Sequence, residues 1–524
     1  MENFGCRATQ ADGAAIERDL LQRGIQRSAT PSSAEVAVLN TCTVTAAADS
    51  DARATIRRIH RENPDCKIMV TGCYAQRVPE EIASLPGVIW VVGNSHKSQV
   101  AEIAAGGVKH KAISSQHSAI GNQHSVSAGG VESFDVASFH EVVIPSGPVS
   151  PTRSRVGVGM SEESAFAGLF ETQHFEIAQQ STNFISLGQL SGLDHLPESN
   201  LTLVGDIFAH TELMAAPVFE SGTSSTKTRP NLKVQDGCDN RCSFCIIPFV
   251  RGHSRSLKLE AVLHEVDSLV AAGYREIVIS GINLGRWGRD YSPQQRFEDL
   301  VAAILDKTAI ERLRISSVEP MDWSNELIAL VASSPRICKH AHVPLQSGSD
   351  RVLRAMHRKY RPWHYADRIQ RIRASMPDAA IGADVMVGFP GETDELFEES
   401  RRFIAEMPFT YLHVFTYSSR PGTAAAAMPD HVLVPIAKER NRILRDLIAE
   451  KNLAFRQSFI GKTLEAITLH PREDGTTEAL TNNFIKLRLE ENLESNQIVV
   501  ANIYDTTFDG LTGAIMSQHP PAMV

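Results

Sequence analysis

The sequence predicts an α/β protein built in three parts: an N-terminal parallel sheet, a central partial (β/α) barrel and a small C-terminal β-barrel. Three observations lead to this prediction. Residues 1–105 alternate short apolar strands with amphipathic helices, and residues 229–455 repeat strand–helix units. Residues 456–524 instead carry short alternating runs between turns. Strand–helix alternation favours a parallel sheet, whereas alternating runs between turns favour a small β-barrel.

The N-terminal part has short apolar runs for strands and apolar residues at helical spacing for helices. A strand–helix unit of this type needs a strand before Phe4, yet only three residues precede Phe4. We therefore expect that strand to be missing here and the true start of the protein to lie upstream. The predicted elements are helices over Ala14–Gly24 and Ala46–Asn63 and strands at Val36–Leu39, Lys67–Thr71 and Val88–Val92.

Residues 106–228 differ from their flanks and are interpreted as a low-complexity acidic insertion or linker. They are rich in Ser, Gly and His and contain no cysteine. Five Lys and Arg stand against 12 Asp and Glu, so this stretch holds −7 of the chain's net charge of −9. Blocks rich in Gly and Ser are typical of flexible linkers. Short runs such as Leu201–Val204 are nevertheless able to pair as strands.

The central part, residues 229–455, has its chemistry-bearing residues where strands end. In a (β/α) barrel the active site lies at the carboxyl ends of the strands. Amphipathic helices, for example Leu259–Ala272 and Glu395–Met407, separate the strands. The predicted strands are Glu276–Ser280, Leu313–Ser317, His340–Pro344, Ala380–Gly388 and Tyr411–Tyr417.

Composition excludes several classes of protein. No uncharged apolar run is long enough to span a membrane, and the start lacks the pattern of a secretory signal. A net charge of −9 argues against a protein that coats nucleic acid indiscriminately. Eight cysteines in 524 residues are too few for a disulfide scaffold. We therefore expect a reducing compartment, the cytoplasm, in which clustered thiols indicate metal binding or catalysis.

The strongest motif is Cys238-x-x-x-Cys242-x-x-Cys245. Three thiolates on one loop hold three irons of a [4Fe–4S] cluster and leave the fourth iron open for substrate chemistry. A zinc site would need a fourth ligand, for which His253 is the only nearby candidate. The alternative is three structural thiols brought together by chance. Phe244, between the last two cysteines, is expected to shield the cluster.

Cys6, Cys42 and Cys73 form a second set, because each follows a predicted strand of the N-terminal sheet. The carboxyl ends of parallel strands face one edge, so these thiols are able to converge on a second cluster with an open iron. The alternative is that they are small buried apolar residues. Cys66 and Cys338 have no comparable neighbours and are interpreted as ordinary buried thiols.

The first cysteine motif, with its aromatic residue, resembles the radical S-adenosylmethionine (SAM) superfamily. This resemblance implies that the open iron chelates SAM and that one electron from the cluster releases a 5′-deoxyadenosyl radical. It also implies SAM contacts from the later strand ends, for which a packing role is the alternative at each position. The expected cofactor-binding residues are Phe244, Gly281, Asn283, Ser317, Glu319, Gln346 and Asp384.

With two clusters in this order, the chain resembles the methylthiotransferases within that superfamily. The segments Asn40–Thr45, Val70–Gln76 and Lys233–Cys238 look most like the branch that acts on N6-threonylcarbamoyladenosine at tRNA position 37. The resemblance implies two [4Fe–4S] clusters, SAM, tRNA, a sulfur donor and an electron donor such as flavodoxin or ferredoxin, in a monomer. Isopentenyladenosine or a ribosomal protein as substrate, or a non-catalytic iron–sulfur RNA-binding protein, remain the alternatives.

Residues 456–524 resemble the TRAM module, a small RNA-binding β-barrel. Thr481–Leu487 fits its central strand, and Phe484 is expected either to stack on a base or to plug the barrel. Five Lys and Arg against nine Asp and Glu give this region no basic surface. Arg351–Arg373, with its cations, Tyr360 and Trp363, is the better candidate for the tRNA anticodon loop; a solvated helix face is the alternative.

Overall fold

The computed structural model describes most of the chain outside the predicted linker. The described residues are 1–28, 30–106, 201–210, 213 and 228–518, with the backbone of 141–143. The linker predicted over 106–228 therefore lies almost entirely outside them. Where it is described, Leu201–Leu203 forms a short strand, as the sequence suggested. No helix among the described residues is long and apolar enough to cross a membrane.

A seven-stranded parallel sheet forms the N-terminal part. The strand order is β2-β6-β3-β4-β5-β7, with β1 beside β3. The strands are β1 Glu2–Asn3, β2 Gln26–Ser28, β3 Val36–Thr41, β4 Lys67–Gly72, β5 Val88–Gly93, β6 Glu141–Val143 and β7 Leu201–Leu203. The helices are α1 Arg7–Gln22, α2 Ala46–Glu62, α3 Cys73–Arg77 and α4 Pro79–Ala83.

The expectation that the first strand is missing was wrong. Two residues suffice, because Glu2 and Asn3 pair in parallel with Leu39 and Asn40 of β3. The Phe4 N–H extends this pairing by donating to the Asn40 carbonyl at 2.9 Å. The strand therefore holds the residues that lead directly into α1.

Two sheets, parallel except for one edge strand, and their covering helices form the central part. One has the order β11-β10-β8-β9, in which β9 is antiparallel, and the other has the order β12-β13-β14. The strands are β8 Asn231–Asp236, β9 Arg255–Ser256, β10 Glu276–Gly281, β11 Arg312–Ile315, β12 His340–His342, β13 Ala380–Val387 and β14 Tyr411–Thr416. The helices are α5 Ile247–Arg251, α6 Leu259–Ala271, α7 Phe297–Lys307, α8 Asn325–Ser333, α9 Asp350–Ala355, α10 Pro362–Ser375, α11 Asp394–Glu406 and α12 Val434–Gln457.

The apolar core of the central part lies between the sheets and the helices. Alternate residues of the strands, such as Ile277, Leu313 and Val385, pack with apolar residues of the helices, such as Leu300 and Ile369. The other face of each strand is left for polar side chains. This division follows from the alternation of side chains along a strand.

A closed five-stranded barrel ends the described chain, with the order β15-β16-β17-β19-β18. The α/β class with a small C-terminal barrel is thus confirmed. Thr481–Leu487 is not a central strand, however, because Phe484 has a left-handed backbone (φ 66°) and the Ile485 N–H donates to Thr481 Oγ1, which reverses the chain. The strands are β15 Thr463–Pro471, β16 Thr477–Thr481, β17 Lys486–Leu489, β18 Ile498–Thr506 and β19 Leu511–Gln518.

Candidate active site

The loop that carries Cys238, Cys242 and Cys245 leaves the carboxyl end of β8 and leads into α5. Gly237 begins it with φ 70°, and a Cβ atom there would lie 1.8 Å from the His253 carbonyl oxygen. The Cys238 N–H donates to the Gly252 carbonyl at 3.0 Å, and the Cys245 N–H donates to the Cys242 carbonyl at 3.1 Å. Local backbone geometry therefore gathers three thiols on one turn, here called the loop triplet.

The electrostatics of the loop triplet fit an iron–sulfur cluster. Burial, and then the neighbouring thiols of Cys242 and Cys238, raise the pKa of Cys245 to about 12. Arg358 Nη1 donates to Cys242 Sγ at 3.2 Å, and Asn283 Nδ2 donates to Cys238 Sγ at 3.6 Å. Thiols with a raised pKa ionise only when positive charge, such as that of iron, lies beside them. Three such thiols close together, with hydrogen bonds donated to their sulfurs, are the ligands that an iron–sulfur cluster needs.

The strand ends place several predicted SAM contacts near the loop triplet. The Asn283 N–H donates to Gln235 Oε1 at 2.7 Å, and a Cβ atom at Gly281 would lie 2.9 Å from the same oxygen. Glu319 forms an ion pair with Arg358, which in turn contacts Cys242. Phe244 packs against a small apolar cluster that includes Val352, Met356 and Phe389.

The remaining predicted contacts lie on the second sheet. Gln346 has a left-handed backbone (φ 68°), and its N–H donates to the Asp384 carbonyl at 2.8 Å. Ser317 Oγ lies 2.9 Å from His342 Nδ1, and His342 Nε2 lies 3.2 Å from Asp384 Oδ1. The structure thus brings Ser317, Gln346 and Asp384 together. Their role as SAM contacts, like that of the other predicted residues, stays a prediction.

Cys6, Cys42 and Cys73 come from three separate segments at one edge of the N-terminal sheet, and we call them the sheet triplet. Cys6 precedes α1, Cys42 follows β3, and Cys73 begins α3 after β4. Gly5 has φ 90°, and a Cβ atom there would lie 2.6 Å from Cys42 Sγ. Burial, then Cys73 and Cys6, raise the pKa of Cys42 to about 12. The three thiols therefore lie within electrostatic reach of one another.

The segments that carry the two triplets are in contact. Cys73 belongs to a small buried cluster with Ile246 and Val250, the first of which follows Cys245 directly. Asn94 Nδ2 donates to Cys73 Sγ at 3.4 Å and to the Val250 carbonyl at 2.7 Å. Packing and hydrogen bonding thus fix the sheet triplet beside the loop triplet.

A buried charge network, which sequence reasoning missed, joins the same two regions. Arg251 donates to Asp236 Oδ1 at 2.9 Å and to Asp12 Oδ2 at 3.0 Å. Lys97 Nζ lies 2.8 Å from Asp12 Oδ2, and Lys233 Nζ lies 2.8 Å from Asp236 Oδ2. A cavity of about 270 Å³ opens beside these residues. The one sequence signal was the placement of charged Lys233 and Asp236 within an otherwise buried strand.

The network carries three cations and two carboxylates, and its excess positive charge faces the sheet triplet. Burial opposes ionisation of Asp12, but Lys233, Lys97 and Arg251 hold its pKa below the ordinary value. Burial alone would lower the pKa of Arg251, yet Asp236, Cys73 and Asp12 raise it well above the ordinary value. These cations therefore stabilise negative charge on the thiols beside them.

The predicted basic surface over Arg351–Arg373 is wrong in part. Arg358 is buried against Glu319 and Cys242, and Tyr360 is buried with its hydroxyl donating to the Leu345 carbonyl at 2.6 Å. Both side chains are buried in the core, where they support the loop triplet and the strand beside it. Trp363 remains 57% exposed. The residues of this segment that stay exposed include Arg351, Arg354 and Arg371.

Phe484 neither plugs the small barrel nor faces a free surface. Its ring stacks on His340 of β12, with the ring centroids 4.3 Å apart, and lies 5.5 Å from the Tyr411 ring. Arg314, which donates to the Thr481 carbonyl at 3.1 Å, lies over the same ring. The turn at Phe484 thus attaches the C-terminal barrel to the central part.

Comparison with known proteins matches both parts of the chain that carry the triplets. Residues 232–404 match the model of the radical SAM superfamily, and residues 1–93 match that of the uncharacterized protein family UPF0004. Threonylcarbamoyladenosine tRNA methylthiotransferase MtaB of Aquifex aeolicus is 30% identical over 95% of this chain and 98% of its own length. The Bacillus subtilis protein of the same name is 31% identical over 92% of this chain and 88% of its own. A tRNA-2-methylthio-N(6)-dimethylallyladenosine synthase of Salinispora arenicola is 40% identical, but over 45% of this chain and 47% of its own.

Proposed function

The chain belongs to the radical SAM methylthiotransferase family, and we propose that it adds a methylthio group to C2 of N6-threonylcarbamoyladenosine at position 37 of tRNA. One observation carries the choice of substrate. The relatives similar over nearly the whole chain are threonylcarbamoyladenosine methylthiotransferases. The dimethylallyladenosine synthases match about half of it.

We assign the loop triplet, Cys238, Cys242 and Cys245, as ligands of the cluster that binds SAM. When bound there, a [4Fe–4S] cluster with SAM supplies the 5′-deoxyadenosyl radical that removes hydrogen from C2. Arg358 and Asn283 donate hydrogen bonds to two of these sulfurs, which stabilises their ionised form. Phe244 and its apolar neighbours exclude water from that side of the loop.

We assign the sheet triplet, Cys6, Cys42 and Cys73, as ligands of the second cluster, where sulfur is delivered. The cations of the charge network support this assignment, because they offset the negative charge of ionised thiols in a buried place. A tRNA anticodon loop, a one-electron donor such as flavodoxin or ferredoxin and a sulfur donor are the partners this reaction needs. A cytoplasmic monomer fits such an enzyme.

The test is an anaerobic reaction of the reconstituted protein with SAM, dithionite, sulfide and tRNA that carries N6-threonylcarbamoyladenosine. Mass spectrometry of the tRNA nucleosides is expected to show the 2-methylthio derivative. Product only on tRNA that carries isopentenyladenosine, or only on ribosomal protein, would support an alternative substrate. Absence of 5′-deoxyadenosine under all conditions would support a non-catalytic iron–sulfur protein.

A further inference from the structure

One face of the second central sheet is polar and turned away from the helices. The register places His342 opposite Gly382, Gly382 opposite Tyr411, and Asp384 opposite His413. Because side chains alternate along a strand, these residues share the face opposite to the helix-packed core. The intervening residues belong to that core, among them Ala341, Val343, Ile381, Ala383 and Val385. The polar face therefore lines the inside of the partial barrel.

Three side chains on this face lie close together, but they differ in their hydrogen bonding and exposure. Ligand atoms of His342, Asp384 and His413 all lie within 4.8 Å of one another. His342 Nδ1 lies 2.9 Å from Ser317 Oγ, and its buried Nε2 lies 3.2 Å from Asp384 Oδ1. His413, in contrast, is exposed to solvent. It is therefore the imidazole on this face that is available to a ligand.

Arg7 faces the same place from the N-terminal part, one residue after Cys6. Asn231 Nδ2 donates to its carbonyl at 2.8 Å, which ties the start of α1 to the start of β8. Partial burial and then the charge of His342 lower the pKa of His413; Asp384 opposes this shift and Arg7 adds to it. Arg7 is exposed as a residue, but burial of its guanidinium lowers the pKa of that group. Among the described residues no carboxylate forms an ion pair with it. Arg7 thus presents a guanidinium, and His413 a neutral imidazole, to the same place.

This inference rests on the proposed function and adds how the protein distinguishes a threonylcarbamoyl group from a dimethylallyl group on the adenosine. We infer that Arg7 and His413 bind the carboxylate of the threonylcarbamoyl group, beside the sheet triplet. A carboxylate accepts hydrogen bonds from a guanidinium and from an imidazole N–H, and the charge-assisted bond from the guanidinium is the stronger of the two. Asp384, held by His342, accepts from the hydroxyl or an N–H of the same group. A dimethylallyl group has none of these atoms, so this face selects the acidic modification.

The test uses synthetic anticodon stem-loops that carry N6-threonylcarbamoyladenosine as the free acid or as its methyl ester. The ester keeps the shape and removes the charge. For the wild-type protein, kcat/KM for methylthiolation is expected to favour the acid by about 10- to 100-fold. In His413→Phe and Arg7→Met the preference is expected to fall to about threefold or less, because the loss of either hydrogen-bond donor removes most of the discrimination. His264→Phe, an exposed histidine on α6, is the matched control and keeps the wild-type ratio.

Arg7→Lys keeps a charge and is expected to retain part of the preference, which separates charge from damage to the neighbouring Cys6. Iron content shows that each variant still holds its clusters. An acid-to-ester ratio unchanged in both His413→Phe and Arg7→Met overturns this inference while leaving the proposed function intact. A wild-type protein that methylthiolates neither stem-loop overturns the proposed function itself. One equivalent of zinc or manganese that is lost in His413→Phe would show a metal in this place and also overturn the inference.

Discussion

The two cysteine triplets reach similar arrangements by different routes. The loop triplet comes from eight consecutive residues, and backbone hydrogen bonds within and beside that loop set its geometry. The sheet triplet comes from segments separated by more than 30 residues, and only the parallel pairing of β1, β3 and β4 brings them together. The first arrangement is local and the second depends on topology. The sheet triplet is therefore the one that mutations in the surrounding fold should disturb.

The largest expected effect separates the chemical roles of the triplets. Cys242→Ala should abolish formation of 5′-deoxyadenosine, because the SAM-binding cluster loses a ligand, while methyl transfer to sulfur persists. Cys42→Ala should still cleave SAM but yield no methylthiolated tRNA. Liquid chromatography with mass spectrometry measures both products, and Cys66→Ala, a buried thiol outside either triplet, is the control. Full methylthiolation by Cys42→Ala would end the two-cluster account.

The buried charge network around Asp12 and Arg251 should stabilise the contact between the N-terminal part and the central part. Arg251→Met leaves Asp12 and Asp236 buried with less compensation, which we expect to lower the free energy of unfolding by about 3–5 kcal/mol. Arg442→Met removes exposed ion pairs with Glu439 and Asp446 and should leave the free energy of unfolding almost unchanged, because solvent screens such pairs. Guanidinium denaturation of the apoprotein measures both. Equal, small effects of the two variants would show that the network does not join the regions.

A side chain added to a glycine beside the sheet triplet should destabilise the protein more than one added to a glycine with open space around it. Gly72 precedes Cys73 with φ 100°, and a Cβ atom there would lie 2.3 Å from the Thr41 carbonyl oxygen. We expect Gly72→Ala to destabilise the protein by about 1–3 kcal/mol and to lose about half of the iron. Gly391→Ala has a similar φ of 78° but open space around it, so it is the matched control. Iron analysis after anaerobic reconstitution compares the two, and wild-type iron in Gly72→Ala would contradict the expectation.

The smallest expected effect is a dependence on pH. The pKa values of Asp12 and Asp236 are lowered in the folded state: burial opposes this shift, but Lys233 and Arg251 outweigh it at both carboxylates. Their contribution to stability is thus fully present above about pH 4 and lost as the pH falls below it. Denaturation of the apoprotein between pH 6 and pH 3 should show a shallower pH dependence in Arg251→Met. The same slope in both proteins would contradict the depressed pKa values.

The sequence predicted what depends on local spacing or on the ends of strands. The loop triplet followed from its spacing, and the sheet triplet from the rule that parallel strands end at one edge. The two-residue strand at Glu2 was not predicted, because a strand that short shows no periodicity in the sequence. Asp12 was missed because a carboxylate on a helix is usually solvated. The burial of Arg358 and the packing of Phe484 depend on contacts between distant segments, which no local pattern reports.

The central claim is that six thiols form two cluster sites, and iron and sulfide analysis of anaerobically reconstituted protein tests it most directly. Two [4Fe–4S] clusters predict about eight irons and about eight sulfides per chain, falling to about four of each in the triple variant of Cys6, Cys42 and Cys73 to alanine. About four irons in the wild-type protein, unchanged by that triple variant, would contradict the account.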